Sequence, residues 1–158
     1  MLKKGIRFNI LINMPTLTDN KKAIFDYEIL ETYDAGIELH GFEAKAALKG
    51  LASLKGSFVI IRGGEAFWVN AVISPYQPKN TPNWYQQDRT RKLLLRKEEI
   101  NELTGKTSQK GLTLVPISIY TSRRKIKLKF GLARSKKKFE KRELIRKREV
   151  EREIHRNL

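Results

Sequence analysis

Apolar and charged residues alternate without a break over Lys125-Ile126-Lys127-Leu128-Lys129-Phe130. A period of two predicts a half-buried strand, with Ile126, Leu128 and Phe130 on a core face and the three lysines toward water. Leu112–Tyr120 precedes it as a second strand, so that 112–120 and 125–132 read as a hairpin. Ser57–Arg62 and Glu65–Val69 flank Gly63-Gly64, a strong two-residue hairpin signal. Asp26–Tyr33 and Ile37–His40 flank Asp34-Ala35-Gly36, which predicts a further hairpin with Asp34 in its turn. Helical spacing appears twice, over Phe42–Leu48 with Gly50 at its C-cap and over Lys97–Leu103 with Gly105 behind it. Asn80–Asp88 contains Pro82, has no period and reads as a loop.

Short strands with two small helices predict a mainly β body, an OB-type six-stranded barrel over residues 20–133. Closure is expected because an open basic edge strand leaves its ladder unpaired. From Lys136 onward the chain lacks Gly and Pro and is rich in Glu, Lys and Arg, all good helix formers. Glu143 and Lys147 are spaced for an i,i+4 pair. Val150, Ile154 and Leu158 make only a thin apolar stripe, too little to offset the ordering entropy of so charged a segment. Residues 134–158 therefore read as a basic tail, disordered alone and helical when bound. Residues 1–19 read as a dispensable N-terminal extension, with Met14 a candidate start and residues 1–13 disposable.

Charge changes the picture more than any single motif. The chain has 33 Lys and Arg against 17 Asp and Glu, a net charge of +16. That excess points to a polyanionic partner. Same-face residues on a strand recur every ~6.6 Å, close to the spacing of phosphates along a nucleic-acid strand. A plain solvated face accounts for the alternation of 125–130 equally well; the adjoining Lys136-Lys137-Lys138 favours RNA or DNA. Membrane surfaces are polyanions too, but no apolar run is long enough to span a bilayer, and Ile10-Leu11-Ile12 is too brief for a signal-peptide core. A cytoplasmic, monomeric protein without a membrane partner is expected.

Catalysis has little to stand on. Cysteine is absent, and His40 and His155 are too few for a metal cluster. Glu28, Glu31 and Asp34 lie close in sequence but have no accompanying histidine or ligand set. Gly63-Gly64 is followed by neither a helix start nor Lys-Ser/Thr, so it is not a phosphate-binding loop. No enzyme activity and no cofactor are expected.

A resemblance adds what periodicity does not. Asn20-Lys21-Lys22-Ala23, Asp26-Tyr27, Glu31–Ile37, Ile73-Ser74-Pro75-Tyr76, Asp88–Leu95, Lys110–Pro116 and Lys136–Glu143 resemble, in order, the signature blocks of the SsrA-binding protein (SmpB) family. The likeness covers residues 20 to about 155. It implies an oligonucleotide-binding barrel that holds the tRNA-like domain of transfer-messenger RNA and delivers it to stalled ribosomes for trans-translation. The alternative is a constitutive ribosomal or rRNA-binding protein, with a surface-binding basic protein third.

By the same resemblance Asn20, Lys21 and Lys22 fall at a basic strand start, and Arg89, Arg91, Lys92 and Leu93 in the Arg-x-Arg-Lys-Leu-Leu-Leu block. With Asp34, Lys127, Lys129, Lys136, Lys137 and Lys138 they form the implied RNA-contacting set. At least two of Leu93–Leu95 are expected in the core, and a solvated rim stands as the other reading of Arg91 and Lys92. The tail resembles the segment that occupies the empty messenger channel and decoding centre of the small ribosomal subunit, through Phe139, Glu140, Lys141, Arg142, Ile145, Val150 and Ile154. Phe139 is suited either to stack on a base or to pack on the barrel. Four positions depart from the family pattern: Phe25 for His, Leu48 for Arg, Ser135 for Gly and Glu140 for Asp. Loss of the Arg at Leu48 is expected to weaken one phosphate contact, and Ser135 to stiffen a hinge into the tail.

Overall fold

A computed structural model describes residues 15–158, so the expectations for residues 1–13 and Met14 lie outside the described residues. In chain order the elements are β1 (Thr16–Asp19), α1 (Lys21–Asp26), β2 (Tyr27–Ile37), α2 (Gly41–Leu48), β3 (Ala52–Ser53), β4 (Phe58–Arg62), β5 (Glu65–Val69) and β6 (Val72–Ile73). After a 3-10 turn at Pro78–Asn80 come β7 (Arg91–Leu94), α3 (Lys97–Thr107), β8 (Leu112–Ser122), β9 (Lys125–Ser135) and α4 (Lys138–Arg156). Six strands in the order β8-β4-β5-β7-β2-β9 close on themselves through β8 and β9. The pairings are antiparallel, and the ring meets the expectation of a closed mainly β barrel. β3 and β6 form a separate two-stranded ladder.

The free edge of β8 is shared. β4 meets it at Leu114, and β1 pairs with Ser118, Ile119 and Tyr120 beyond a bulge between Pro116 and Ser118. Pro116 has no N–H to give a ladder, so a bulge there is its natural place. Residues before 20 thus belong to the sheet: β1 is hydrogen-bonded into it, and the Thr121 N–H donates to the Pro15 carbonyl at 3.1 Å.

The alternation of 125–130 holds: Leu128 and Phe130 are fully buried, Ile126 packs on the same core, and Lys125 is exposed. That core also takes Trp68, Leu93, Leu114 and Ile119 from the ring, Leu103 from α3 and Ala46 from α2. A second, smaller core lies beneath α1, where Ala23, Val115 and Ala133 meet Tyr27 and Ile29. The two cores use opposite faces of β2, and a register shift between Ile29 and Glu31 makes the switch: Ile29 pairs with Ala133, whereas Tyr33 pairs with Phe130 and stacks on it at 5.7 Å. Gly131 sits in this crossing, where a Cβ would come within 2.7 Å of Ile29 Cγ2.

Three expectations need correction. Asp34-Ala35-Gly36 is not a turn: β2 is one continuous strand held on both sides, with Gly36 opposite Lys127 on β9 and opposite Leu94 on β7. Gly36 serves close approach, its missing Cβ lying 3.3 Å from Leu94 Cβ. Asn20-Lys21-Lys22 opens a helix and not a strand, because the Asn20 carboxamide oxygen accepts from Ala23 N at 3.3 Å and caps α1. Gly105 lies inside α3, which runs to Thr107. The hairpin turns stand as expected, with Gly63 and Gly64 at φ 59° and 73°; at the other tip Arg123 and Arg124 take φ 50° and 65° without glycine.

Candidate nucleic-acid interface

The outer face of β2, β9 and β8 is divided by α1. One half is the small core under that helix; the other carries Lys125, Lys127 and Lys129. Lys127 lies opposite Gly36 on one side and Tyr120 on the other, and Lys129 opposite Asp34 and Ser118. The Tyr120 hydroxyl donates to Asp34 Oδ1 at 2.7 Å, and burial followed by this carboxylate pushes the phenol pKa well above 10.0. Asp34 is thus a strand residue among the lysines, where its charge and the phenol fix the local geometry. The lysines' neighbours Gly36 and Ser118 are small, and Lys127 and Lys129 are half-buried between them. At the inner edge of the same strands Lys106 bridges Glu31 and Glu102 at 2.5 Å each, and burial, with a hydrogen bond to Glu31, pushes Tyr33 up to about 12.

The Arg-x-Arg block behaves differently. Arg91 is fully buried, and its five N–H donors meet Glu43 Oε2 (2.7 Å), the Ala71 carbonyl (2.9 Å), the Arg89 carbonyl (3.0 Å), the Tyr85 hydroxyl (3.2 Å) and the Gln87 carbonyl (2.9 Å). Its guanidinium also lies 5.7 Å from the Trp68 ring centroid. Glu43, buried as well, takes Arg89 in a second ion pair, the Tyr85 hydroxyl at 3.0 Å and the His40 N–H at 3.0 Å. Burial pushes the Glu43 carboxyl up, but the Arg89 and His40 hydrogen bonds and the Arg91 charge hold it below its usual range. Arg91 is therefore neither an RNA contact nor a solvated rim: it is an internal tie between β7, α2 and the 71–89 segment. Arg89 is partly exposed but is committed to Glu43 and to the Glu38 carbonyl at 3.3 Å.

Other members of the implied set separate in the same way. Leu93 is core, and Leu94 is 57% exposed, so the Leu93–Leu95 run contributes to both sides of the sheet. Lys92 is half exposed and pairs with Glu65 at 2.6 Å. Asn20 is buried with its amide on the Pro116 carbonyl at 2.9 Å, which makes it a clamp between α1 and β8 and removes it from the surface. Lys21, Lys22, Lys137 and Lys138 are exposed, and Lys136 Nζ donates to the Ile24 carbonyl at 3.0 Å.

The tail is a helix of 19 residues, α4, and it leans on α1: Lys141 pairs with Asp26 at 3.4 Å, and the Arg148 guanidinium lies 5.3 Å from the Phe25 ring centroid. Glu140 accepts from the Lys137 N–H at 3.0 Å and caps the helix start. Phe139 is 68% exposed and does not pack on the barrel; Ile145, Val150 and Ile154 are exposed too. Ser135 is no hinge, being the last residue of β9 in register with Tyr27.

A cluster that sequence reading missed lies at the other end of β2. His40 and Phe42 stack at 5.3 Å, Trp84 meets both at steep angles, and Tyr85 meets Phe42 edge-on at 4.8 Å. Its members are spread over α2 and a loop, so no periodicity betrays it. The signal available was two aromatics in an otherwise polar stretch.

The family model described as SmpB protein matches residues 17–158. The chain belongs to the SmpB family. The SsrA-binding protein of Gloeothece citriformis is 48% identical over 140 residues, covering 89% of this chain and 90% of that one. The SsrA-binding protein of Clostridium acetobutylicum is 48% identical over 141 residues, covering 89% and 90%. A solved structure described as "tmRNA-SmpB: a journey to the center of the bacterial ribosome" superposes with a TM-score of 0.65 at 47% identity, over 77% of this chain and 85% of that one. Among the described residues no helix is long and apolar enough to cross a membrane, and no group of acidic or histidine side chains is arranged to hold a metal ion.

Proposed function

We propose that this protein is the RNA-binding adaptor of trans-translation: it binds the tRNA-like domain of transfer-messenger RNA and carries it to stalled ribosomes in the cytoplasm. The observation that carries this reading is a closed barrel whose lysine-bearing outer strand stands clear of α1, in a chain of the SmpB family. The structure supports assigning the RNA grip to Lys127 and Lys129 around Asp34, with Lys21, Lys22, Lys137 and Lys138 as peripheral charge. It supports assigning ribosome contact to α4, whose exposed Phe139, Ile145, Val150 and Ile154 have no protein partner sufficient to bury them. A basic helix suits an rRNA-lined path left open by missing messenger. The role is to hold and position RNA, with no chemical step assigned to the protein.

Competition between the tRNA-like domain and bulk tRNA tests the reading. The tRNA-like domain is expected to win, and log affinity to fall with log salt by about 0.7–0.9 per phosphate contact. Equal binding to both RNAs favours the alternative, a general rRNA-binding protein, and sinks the adaptor role. A chain ending after Lys136, which keeps β9 whole, is expected to bind the RNA nearly as well and to fail in peptide tagging.

A further inference from the structure

The Ser74–Gln87 loop holds a surface that the lysine strand does not explain. Its ends are tied by Ile73 N–H to the Gln87 carbonyl at 3.0 Å and by the Tyr85 hydroxyl to the Ile73 carbonyl at 2.9 Å. Inside it Pro78 and Pro82 restrict the backbone, and turns close at Asn80, Thr81 and Tyr85. A connection this long, with a single 3-10 turn as its regular structure, is usually functional. This one is built to be stiff, and it presents Trp84 with 64% of its surface in solvent. The exposed indole is braced by His40 and Phe42, at the start of α2, whose Glu43 anchors Arg89 and Arg91.

Charge selects the partner. The loop from Ser74 to Gln87 has no acidic residue, and its single charge is Lys79. Lys45 and Lys49 are exposed on and just after α2, with Lys49 Nζ 5.6 Å from the Tyr76 ring centroid. The Glu43 carboxylate below is buried and already matched by two guanidiniums. An aromatic face in a cationic, amide-rich rim suits a nucleobase, since every base has a π-face and its phosphates meet the lysines. Position agrees. His40 follows the end of β2 at Ile37, and Gly36 on that end faces Lys127, so the cluster lies where the lysine strand leads.

We infer that Trp84, braced by His40 and Phe42, is a stacking platform for an unpaired base of the RNA that this protein binds. The inference rests on the RNA-binding reading above and deepens it. It assigns one unstacked nucleotide to this end of the barrel, while the lysine strand follows the backbone.

Trp84→Ala and Trp84→Phe in the full chain test it, with the tRNA-like domain of transfer-messenger RNA and a single-stranded oligoadenylate as probes. Trp84 is the exposed indole and Trp68 the buried one, so the red-shifted part of the fluorescence reports on Trp84. Both probes are expected to quench that component at saturation. Trp84→Ala is expected to lower affinity about tenfold, and Trp84→Phe about threefold or less. The salt slope should stay unchanged, because stacking releases no counterions. Unquenched fluorescence at saturation, or Trp84→Ala affinity within about twofold of the parent, overturns the inference. So does unchanged RNA affinity with weakened binding to ribosomes, which makes the cluster a ribosome contact. If the tRNA-like domain has no advantage over bulk tRNA yet oligoadenylate quenches Trp84 and the alanine variant loses that binding, the adaptor reading fails and the platform stands.

Discussion

β2 separates two cationic strands that look alike in sequence and differ in everything that decides their use. On one side β7 carries Arg91, sunk in the protein with every donor matched to an oxygen. On the other, β9 carries Lys127 and Lys129 beside glycine, serine and a single carboxylate, with stems half covered and a face clear of helices. The difference follows from the side chains. A planar guanidinium fork can be saturated by fixed carbonyls and a carboxylate, whereas an ammonium on a flexible stem is strongly hydrated and stays near water. Net charge measures attraction for a polyanion at long range, whereas contact requires cations that reach the surface, as those of the lysine strand do and Arg91 does not.

Removing the acidic half of the buried pair breaks this comparison most severely. Glu43→Ala strands Arg91 as an uncompensated charge and is expected to cost about 3–5 kcal/mol in urea unfolding. A loss below 1 kcal/mol would mean that water enters the site and that Arg91 is not the internal tie described. Its pH dependence has a defined sign. The folded carboxyl is held below the ordinary 4.5, so its contribution is full above that value and lost as pH falls through the depressed one. Glu43→Gln should therefore flatten the decline of stability below about pH 4.5.

The lysine side is expected to respond in the opposite currency. Lys127→Ala with Lys129→Ala should leave stability within about 0.5 kcal/mol and reduce the salt slope of RNA binding by about 1.4–1.8. An unchanged slope would move the backbone contact elsewhere. Lys92→Ala sharpens the boundary between the two classes. Its pair with Glu65 is exposed, so an unfolding titration is expected to show only a marginal loss of stability, and an unchanged salt slope of RNA binding places Lys92 outside the contact.

How far the fold was legible follows the range of the interactions. The β4–β5 and β8–β9 hairpins are written locally, in Gly63-Gly64 and in the alternation of 125–130, and both appear as read. Gly36 misled because glycine also serves close packing, and a turn and a tight strand crossing look the same without the neighbouring Leu94. Arg91 was misread for a similar reason: the carboxylate that buries it is on α2, far away in sequence, and only the folded ring brings the two together. That Lys125, Lys127 and Lys129 lie opposite the face of Ile126, Leu128 and Phe130 was legible, because alternation within one strand sets it. The small helix α1 was missed because six residues are too few to show a period, although its Asn20 cap was in plain sight.

The closed ring has a consequence for how the protein is made. β2 emerges early in synthesis, yet its longest partner is β9, the last strand, and β1 waits for β8. Until β9 is complete the nascent chain holds an open sheet with an unpaired apolar edge, and the non-local closure that ends this state is the slow kind. Only α4 follows β9. Barrel formation thus waits for β9 to be synthesised, and a chain cut short before Lys125 has no route to a ring.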